Sequence, residues 1–469
     1  MAGGSAEGAG NTVKADELRG AHVLVAGAGI SGRAAAEALL RLGARVTVTD
    51  ARSEALTDLP DGAVAGPQEL SADLALVVTG PGRRPDDALV TAAAAAGLPV
   101  VGEPELAWWI AREQRSPAPW LAVTGTNGKT TTVGMLESML RAAGHDTVAC
   151  GNIGHPVVAA VEEGRDVLAV ELSSFQLHWS PSVVPAAGCV LNVAEDHLDW
   201  HGSMAAYAHA KAQALRGPVA VAGVDDPAAA ALLAAATAQR RVGVTLAVPG
   251  PDQLGVSGGA LVDRAFGSGE LADTASVRPA GPSGLTDALA AAALARAHGV
   301  PPAAVAAGLA AFRPGGHRGA VVGRVDGVAY VDDSKATNPH AALAALAAVP
   351  GPVVWIAGGL LKGASVDALV AERGRGLRAT VVIGTDRAEI VAAMRRHAPD
   401  VPVVEVIPGD DGAMDGIMTA ALRLAAAHAR PGDTVLLAPA AASMDQFTDY
   451  AARGRAFAAA VADLPGNRA

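Results

Sequence analysis

The chain has 469 residues, 51% of them hydrophobic, and length alone sets a prior of about three domains rather than one core. A formal net charge of −11 excludes a general affinity for nucleic acid or anionic membrane surfaces, so an anionic ligand must be held by a local arrangement. The two cysteines, Cys150 and Cys189, are too few for a disulfide framework or a cysteine zinc site, which makes a reducing cytoplasm the default.

The opening residues MAGGSAEGAGNT carry neither a basic start nor an apolar stretch and read as a disordered leader over 1–15 rather than a signal peptide. No charge-free apolar run reaches the roughly 18 residues of a membrane span. Over 16–107, HVLVAGAG, ARVTVTD, LALVVTGPG and LPVVGEPEL alternate with Ala-rich stretches in the βαβ rhythm of a parallel sheet. Within them, Gly27, Gly29 and Gly32 follow a strand, with Asp50 ending the next one. That outlines a dinucleotide-binding fingerprint, although tight βαβ turns want such glycines in any case.

The segment REQRSPAPW, with two prolines, reads as a linker. A second unit over 108–314 opens with LAVTGTNGKT and continues through DVLAVELSS, AAGCVLNVAEDH and GPVAVAGVDD. The Gly- and Pro-rich stretch from about residue 247 to 284 predicts short antiparallel ribbons, and LTDALAAAALARAHGV a helix stopped at Gly299. The third unit, 315–469, has strands at GVAYVDD, PVVWIAGG, ATVVIGTD, VPVVEVI and DTVLLAPA, each followed by a helical stretch. The fold class expected is α/β, three domains in series: a Rossmann-like unit, a central P-loop-type unit and a second Rossmann-like unit. Ligands of such sheets sit at the carboxyl ends of the strands.

The stretch VTGTNGKTTT (123–132) runs strand, Gly-rich turn, lysine, hydroxyl, helix. Amides of such a turn at a helix N-terminus point at an anion, and the helix dipole adds to the attraction. Gly125, Thr126, Asn127, Gly128, Lys129, Thr130 and Thr131 would cradle a nucleotide triphosphate, with Lys129 on its β and γ phosphates and the Thr130 hydroxyl on Mg²⁺. Val123 stands where the first glycine of the usual spacing would be. A hydride-transfer enzyme has no use for such a site.

Carboxylates and imidazoles collect nearby. Glu171 lies just past a buried strand, and LNVAEDHLDWH supplies Asn192, Glu195, Asp196, His197, Asp199 and His201. Beside a triphosphate this donor set suggests hard-metal binding rather than zinc. Lys211, in YAHAKAQAL, reads on its own as a solvated residue of an Ala-rich helix. Yet only five of the 36 basic residues are Lys, namely Lys14, Lys129, Lys211, Lys335 and Lys362. Four of them fall in the motifs described here, where a primary amine differs from a guanidinium.

The segments TGTNGKTTT, GNIGHP, ELSSFQL, LNVAEDHLDWH, DDSKATN and APAAASMDQFTDYAARGRAF together resemble the Mur ligases. The resemblance covers essentially the whole chain after the leader. The ATP loop is shared with folylpolyglutamate synthase. DDSKATN and ASMDQF resemble the branch of the family that adds D-glutamate to UDP-N-acetylmuramoyl-L-alanine in cytoplasmic peptidoglycan precursor synthesis.

The resemblance implies an ATP-dependent ligase working through an acyl phosphate, with ATP and two Mg²⁺ ions. It implies that Ser31, Asp50, Arg52, Thr79 and Gly82 contact the uridine nucleotide, and that Asn152, Ser173 and Gln176 line its muramoyl end. Thr130, Glu171, His197 and Lys211 would be metal ligands, Lys211 as a carbamate formed with CO₂, which only a primary amine can form. Arg318 and Asp333 would hold ATP; Lys335, Thr337, Lys362, Ser443 and Tyr450 would surround the glutamate. Neither nucleic acid nor membrane insertion is expected, and a monomer is. The alternative is a related ligase with a different acceptor. Five positions depart from the family pattern: Ser283 and Gly284 replace a His-Asn pair, Ala320 an acid, Tyr450 a Phe and Ala441 a Cys.

Overall fold

A computed structural model describes residues 15–267, 269–406 and 416–466. Most of the expected leader, residues 1–14, lies outside the described residues, while Ala15 is buried together with Leu18. Three sheets follow one another along the chain, as the alternating Val-rich and Ala-rich segments predict.

The first sheet comprises β1 (His22–Ala26), β2 (Arg45–Thr49), β3 (Val64–Ala65), β4 (Leu74–Thr79) and β5 (Val100–Gly102) in the order β3-β2-β1-β4-β5, with every pairing parallel. The order reverses at β1, which places the Gly27 turn and the β4 turn at a topological switch point, where ligands of such sheets bind. The third glycine of the fingerprint is there for packing. A Cβ on Gly32 would stand 1.8 Å from the Gly27 carbonyl oxygen, so the helix Ile30–Arg41 reaches its own turn only without a side chain.

The second sheet contains β6 (Trp120–Thr124), β7 (Thr147–Gly151), β8 (Val167–Glu171), β9 (Ala187–Val190), β10 (Val219–Gly223), β11 (Arg240–Val244), β12 (Gln253–Ser257), β13 (Ala260–Asp263) and β14 (Gly269–Asp273). Its order is β14-β13-β12-β11-β10-β9-β6-β8-β7. The expected ribbons are β12 to β14, which pair antiparallel. β6 and β8 are central and buried at every residue, which is why they read as continuous apolar runs instead of alternating ones.

The helix Pro282–Ala297 is buried all round over Ala288–Ala295, and Gly299, at φ 91°, follows it. Small side chains make close approach possible here. A Cβ on Gly308, in the neighbouring helix Pro302–Ala311, would lie 2.5 Å from the Met139 Cα. The helix that carries the phosphate loop, Lys129–Ala142, is thereby clamped from behind.

The third sheet contains β15 (Ala320–Val325), β16 (Val328–Asp332), β17 (Val353–Gly358), β18 (Leu377–Ile383), β19 (Val403–Glu405) and β20 (Thr434–Leu437), ordered β15-β16-β20-β17-β18-β19. Only β15 runs antiparallel to its neighbour. β20 inserts between β16 and β17, so the loops after these three strands emerge side by side. Trp355 of β17 is fully buried and donates its indole N–H to the Ala438 carbonyl at 2.7 Å, which satisfies the only polar atom of that side chain.

The chain falls into two compact units. The first holds the first two sheets, and the second holds the third sheet together with residues 194–207 and 278–284. Among the described residues no helix is long and apolar enough to cross a membrane.

Candidate active site

In the first unit, β6 ends at Thr124 and the chain turns through Gly125 at φ 155° and Gly128 at φ 89° before the helix Lys129–Ala142 begins. Gly128 is the left-handed N-cap of that helix, and a Cβ there would stand 2.2 Å from Asp287 Oδ1. Backbone freedom and space both require glycine. Asn192, just past β9, braces the loop from the side. Its Oδ1 accepts from the Asn127 N–H at 2.9 Å, its Nδ2 donates to the Asn127 carbonyl at 3.2 Å, and its own carbonyl accepts from the Thr126 N–H at 3.0 Å.

Two lysines converge on this loop. Lys129 Nζ donates to the carbonyls of Gly125 and Thr126, both at 2.9 Å. Lys211 Nζ donates to the same Gly125 oxygen at 2.8 Å, and its side chain is buried. Lys211 is therefore no solvated helix residue. Two ammonium groups on one carbonyl oxygen form an arrangement that repulsion disfavours and that an anion would stabilise.

Glu171 ends β8, buried, next to β6 in the sheet. Its Oε1 accepts from Asn152 Nδ2 at 2.9 Å, and its Oε2 is buried with no hydrogen-bond partner. A buried carboxylate oxygen lacking a donor is costly unless a cation binds it. That orphan and the Thr130 hydroxyl at the head of the helix are oxygen donors of the kind a hard divalent ion takes, whereas the amine of Lys211 is not. Among the described residues no three His, Cys, Asp or Glu side chains group closely enough to hold a metal by themselves. His197 belongs to the second unit, at a left-handed N-cap with φ 56°.

Asn152, expected at the muramoyl end, is engaged in orienting Glu171. Ser173 and Gln176 form a capping box on the helix Ser174–His178, with Gln176 N–H donating to Ser173 Oγ at 3.1 Å and Ser173 N–H to Gln176 Oε1 at 2.9 Å. Gln176 also lines a cavity with Ser31, Thr79, Glu103 and Trp179, between the first sheet's turns and this helix. A second, wider cavity of about 490 Å³ is lined by Gly27, Ala51, Gly82, Arg83 and Arg84 among others. Of the nucleotide contacts expected from sequence, Ser31 and Thr79 line the first cavity and Gly82 the second.

Asp50, just past β2, ties the end of that strand to the Gly27 turn after β1. Arg52 N–H donates to its Oδ1 at 3.0 Å and Ala28 N–H to its Oδ2 at 2.8 Å, and these bonds hold its pKa below the usual carboxylate range. The Arg52 guanidinium lies 3.5 Å from Asp50 Oδ1. Glu103 was not singled out from sequence. It is buried, its Oε1 accepts from the Val158 N–H at 2.6 Å, and its Oε2 has no partner. Burial pushes its pKa up to about 7, against the pull of the Val158 and Val157 amides.

In the second unit the loops after β16, β17 and β20 carry the residues expected around an amino acid. Lys335 Nζ sits 4.0 Å from the centre of the Tyr450 ring, a cation–π contact. Lys362, at φ 53°, pairs with Asp196 Oδ1 at 3.3 Å, and Asn338 Nδ2 donates to Asp196 Oδ2 at 3.3 Å. The loops are laced to one another. Ala440 N–H donates to the Ala336 carbonyl at 2.9 Å, and Leu360 and Ala442 exchange backbone bonds at 2.8 and 2.9 Å. Thr337 and Ser443 stand in these same loops.

His317 Nδ1 lies 2.6 Å from Asp332 Oδ2, and a Cβ on Gly454 would come within 2.2 Å of the same ring nitrogen. Burial raises the pKa of the neighbouring Asp333 to about 7, the Asp332 charge adds to that rise, and Arg318 and the Gly319 N–H oppose it. Of the departures from the family pattern, Gly284 has a local reason, because a Cβ there would stand 1.8 Å from the Pro279 carbonyl oxygen. The structure supplies no such reason for Ala320.

Comparison with known proteins assigns these segments. Residues 123–250 match the Mur ligase middle domain and residues 317–441 the Mur ligase, glutamate ligase domain. Residues 6–74 match the Alanine dehydrogenase/PNT, C-terminal domain. The chain is 55% identical over 475 residues to the UDP-N-acetylmuramoylalanine–D-glutamate ligase of Mycolicibacterium vanbaalenii, covering 94% of this chain and 98% of the relative. It is 54% identical to the same-named protein of Mycolicibacterium smegmatis, over 94% and 96% of the two chains.

Among solved structures, a pseudomurein peptide ligase type C from Methanothermus fervidus superposes with a TM-score of 0.58 at 17% identity, covering 89% of this chain and 96% of that one. The UDP-N-acetylmuramate-alanine ligase of Thermotoga maritima gives 0.56 at 18%, over 93% and 98%. These two likenesses concern the fold.

Proposed function

The chain belongs to the Mur ligase family, and from that premise we propose that it is the ATP-dependent ligase that joins D-glutamate to UDP-N-acetylmuramoyl-L-alanine in peptidoglycan precursor synthesis. The single observation that carries the reading is the 55% identity to a ligase of that name over 94% of this chain. The convergence of Lys129 and Lys211 on Gly125, beside the orphaned oxygen of Glu171, supports it. The division of labour follows domains with boundaries near residues 107 and 314. The nucleotide-sugar lies on the first sheet's turns, ATP on the central loop, and glutamate on Lys335, Thr337, Lys362, Ser443 and Tyr450.

A carboxylate is a poor acylating agent, so the alanyl carboxylate first takes the γ-phosphoryl group of ATP, giving an acyl phosphate and ADP. Two anions must meet for this, and Lys129 neutralises the charge between them. Thr130, Glu171 and Lys211, the last as its carbamate, would hold Mg²⁺, which supplies further charge neutralisation when bound. Asn152 fixes the rotamer of Glu171 for that task. The glutamate amine, deprotonated, then attacks the acyl carbon, the amide forms and phosphate leaves. The cations Lys335 and Lys362 suit the two carboxylates of the acceptor through charge-assisted hydrogen bonds.

We place the reaction in the cytoplasm, carried out by a monomer. The test is ADP release with UDP-N-acetylmuramoyl-L-alanine and each glutamate enantiomer in turn. Turnover with D-glutamate alone is the expected result. Turnover with another acceptor and none with D-glutamate would assign the chain to a different ligase of the family.

A further inference from the structure

Arg453 sits in the helix Tyr450–Ala462 of the second unit and is only 1% exposed. A buried guanidinium normally faces a carboxylate, since an unpaired buried charge is costly. This one does not. Its Nε donates to Ser334 Oγ at 3.0 Å and its Nη2 to the Ser334 carbonyl at 2.9 Å, while Nη1 donates to the carbonyls of Ala441 at 3.1 Å and Gly358 at 3.4 Å. Ser334 Oγ in turn donates to the Tyr450 carbonyl at 2.7 Å. The nearest carboxylates that act on it, Asp445 and Asp332, do so through space.

The partners are not scattered. Ser334 follows β16 and precedes Lys335; Gly358 ends β17, upstream of Lys362; Ala441 follows β20, upstream of Ser443; and Tyr450 opens the helix of Arg453 itself. One planar fork therefore touches every loop that carries a residue assigned to the glutamate. Its rigid donor geometry suits this role, which a lysine could not fill.

We propose that Arg453 is a positioning residue for the acidic acceptor: it splints the loops after β16, β17 and β20 in one register and places a buried positive charge beneath the site they form. The inference rests on the reading that these loops bind glutamate. Arg453 lies in the segment APAAASMDQFTDYAARGRAF but is given no role there; its burial and its four acceptor contacts supply one.

The test is steady-state phosphate release by the full chain, varying each substrate separately, for Arg453→Lys and for the milder Ser334→Ala, with Lys335→Ala as a control. Arg453→Lys should raise KM for glutamate about tenfold or more, with KM for ATP and for the nucleotide-sugar changed less than about twofold. Ser334→Ala, which removes one strut, should move the same constant in the same direction by about threefold. A merely structural role predicts something else, a lower maximal rate from lost folded enzyme with every KM unchanged, and that result overturns the proposal. If Lys335→Ala also leaves KM for glutamate unchanged, the assignment of these loops to glutamate is what has failed. If Lys335→Ala raises it and neither other variant does, the splint is wrong and the assignment stands.

Discussion

Lys129 and Lys211 share one acceptor, the carbonyl oxygen of Gly125, at 2.9 and 2.8 Å. Only one of the two needs to stay cationic to serve a triphosphate. Conversion of Lys211 to a carbamate would remove the repulsion and add an anionic oxygen donor beside Glu171. Lys211→Arg keeps the charge but cannot form a carbamate, so its kcat should fall by at least about 100-fold, the range for losing one transition-state stabilising group. A ¹³C-bicarbonate signal should appear in the wild-type protein and be absent from the variant. Equal signals, or an active Lys211→Arg enzyme, would remove the carbamate from the mechanism.

Gly128 and Asp287 face each other across the head of the same helix. In Gly128→Ala the new methyl would meet Asp287 Oδ1 at 2.2 Å while the backbone is held at φ 89°. Holding a non-glycine residue in the left-handed region costs about 1–2 kcal/mol before any clash. The variant should lose ATP turnover by about two orders of magnitude, with the melting temperature falling only a few degrees. Adding Asp287→Ala should recover part of the stability and little of the activity, because the backbone strain remains. Full recovery in the double variant would mean that space alone matters there.

How much of this was legible in the sequence depends on whether a residue acts through its own pattern or through the fold. The strands were legible because both faces are buried: VLAV and WLAV are apolar without alternation, which is what β8 and β6 require. The phosphate loop was legible because its glycines, lysine and threonines have a mechanism that depends on spacing. The antiparallel β15 was not, since AVVGRV is partly exposed and follows a Gly-rich turn. Asp287, Glu103 and Arg453 were not either. Each owes its significance to an atom far away in sequence, and an acid in EPEL or an arginine in AARGRAF carries no periodic mark of that. The scarcity of lysine did point to Lys211, a signal that helix composition alone would have hidden.

Glu171 Oε2 is buried and accepts nothing, while Oε1 is held by Asn152. A buried carboxyl oxygen with no donor opposes folding. Glu171→Gln, neutral and of the same shape, should therefore stabilise the metal-free protein by about 1 kcal/mol while abolishing turnover. Magnesium should raise the melting temperature of the wild type and leave the variant unmoved. The pair of outcomes is what separates a ligand from a packing residue: a packing residue would lose stability on substitution, and the magnesium response would survive.

Glu103 makes the folded chain less stable as pH rises. Its pKa is about 7 in the folded chain against an ordinary glutamate value of 4.5. Between these limits the folded state holds a proton that the unfolded state has lost, so stability falls as pH rises, by about 3 kcal/mol over the whole interval. The contribution is fully present below about pH 4.5 and gone above about pH 7. Carboxylates such as Asp50 and Asp433, whose pKa values are held low by backbone amides and by Arg378 respectively, act in the opposite sense at lower pH. The difference between wild type and Glu103→Gln isolates the one group. Gln keeps the acceptor for the Val158 N–H and has no proton to lose, so chemical denaturation from pH 5 to 8 should find its relative stability rising by about that amount. Parallel curves would show that Glu103 titrates as an ordinary glutamate and that its orphaned oxygen is hydrated in solution.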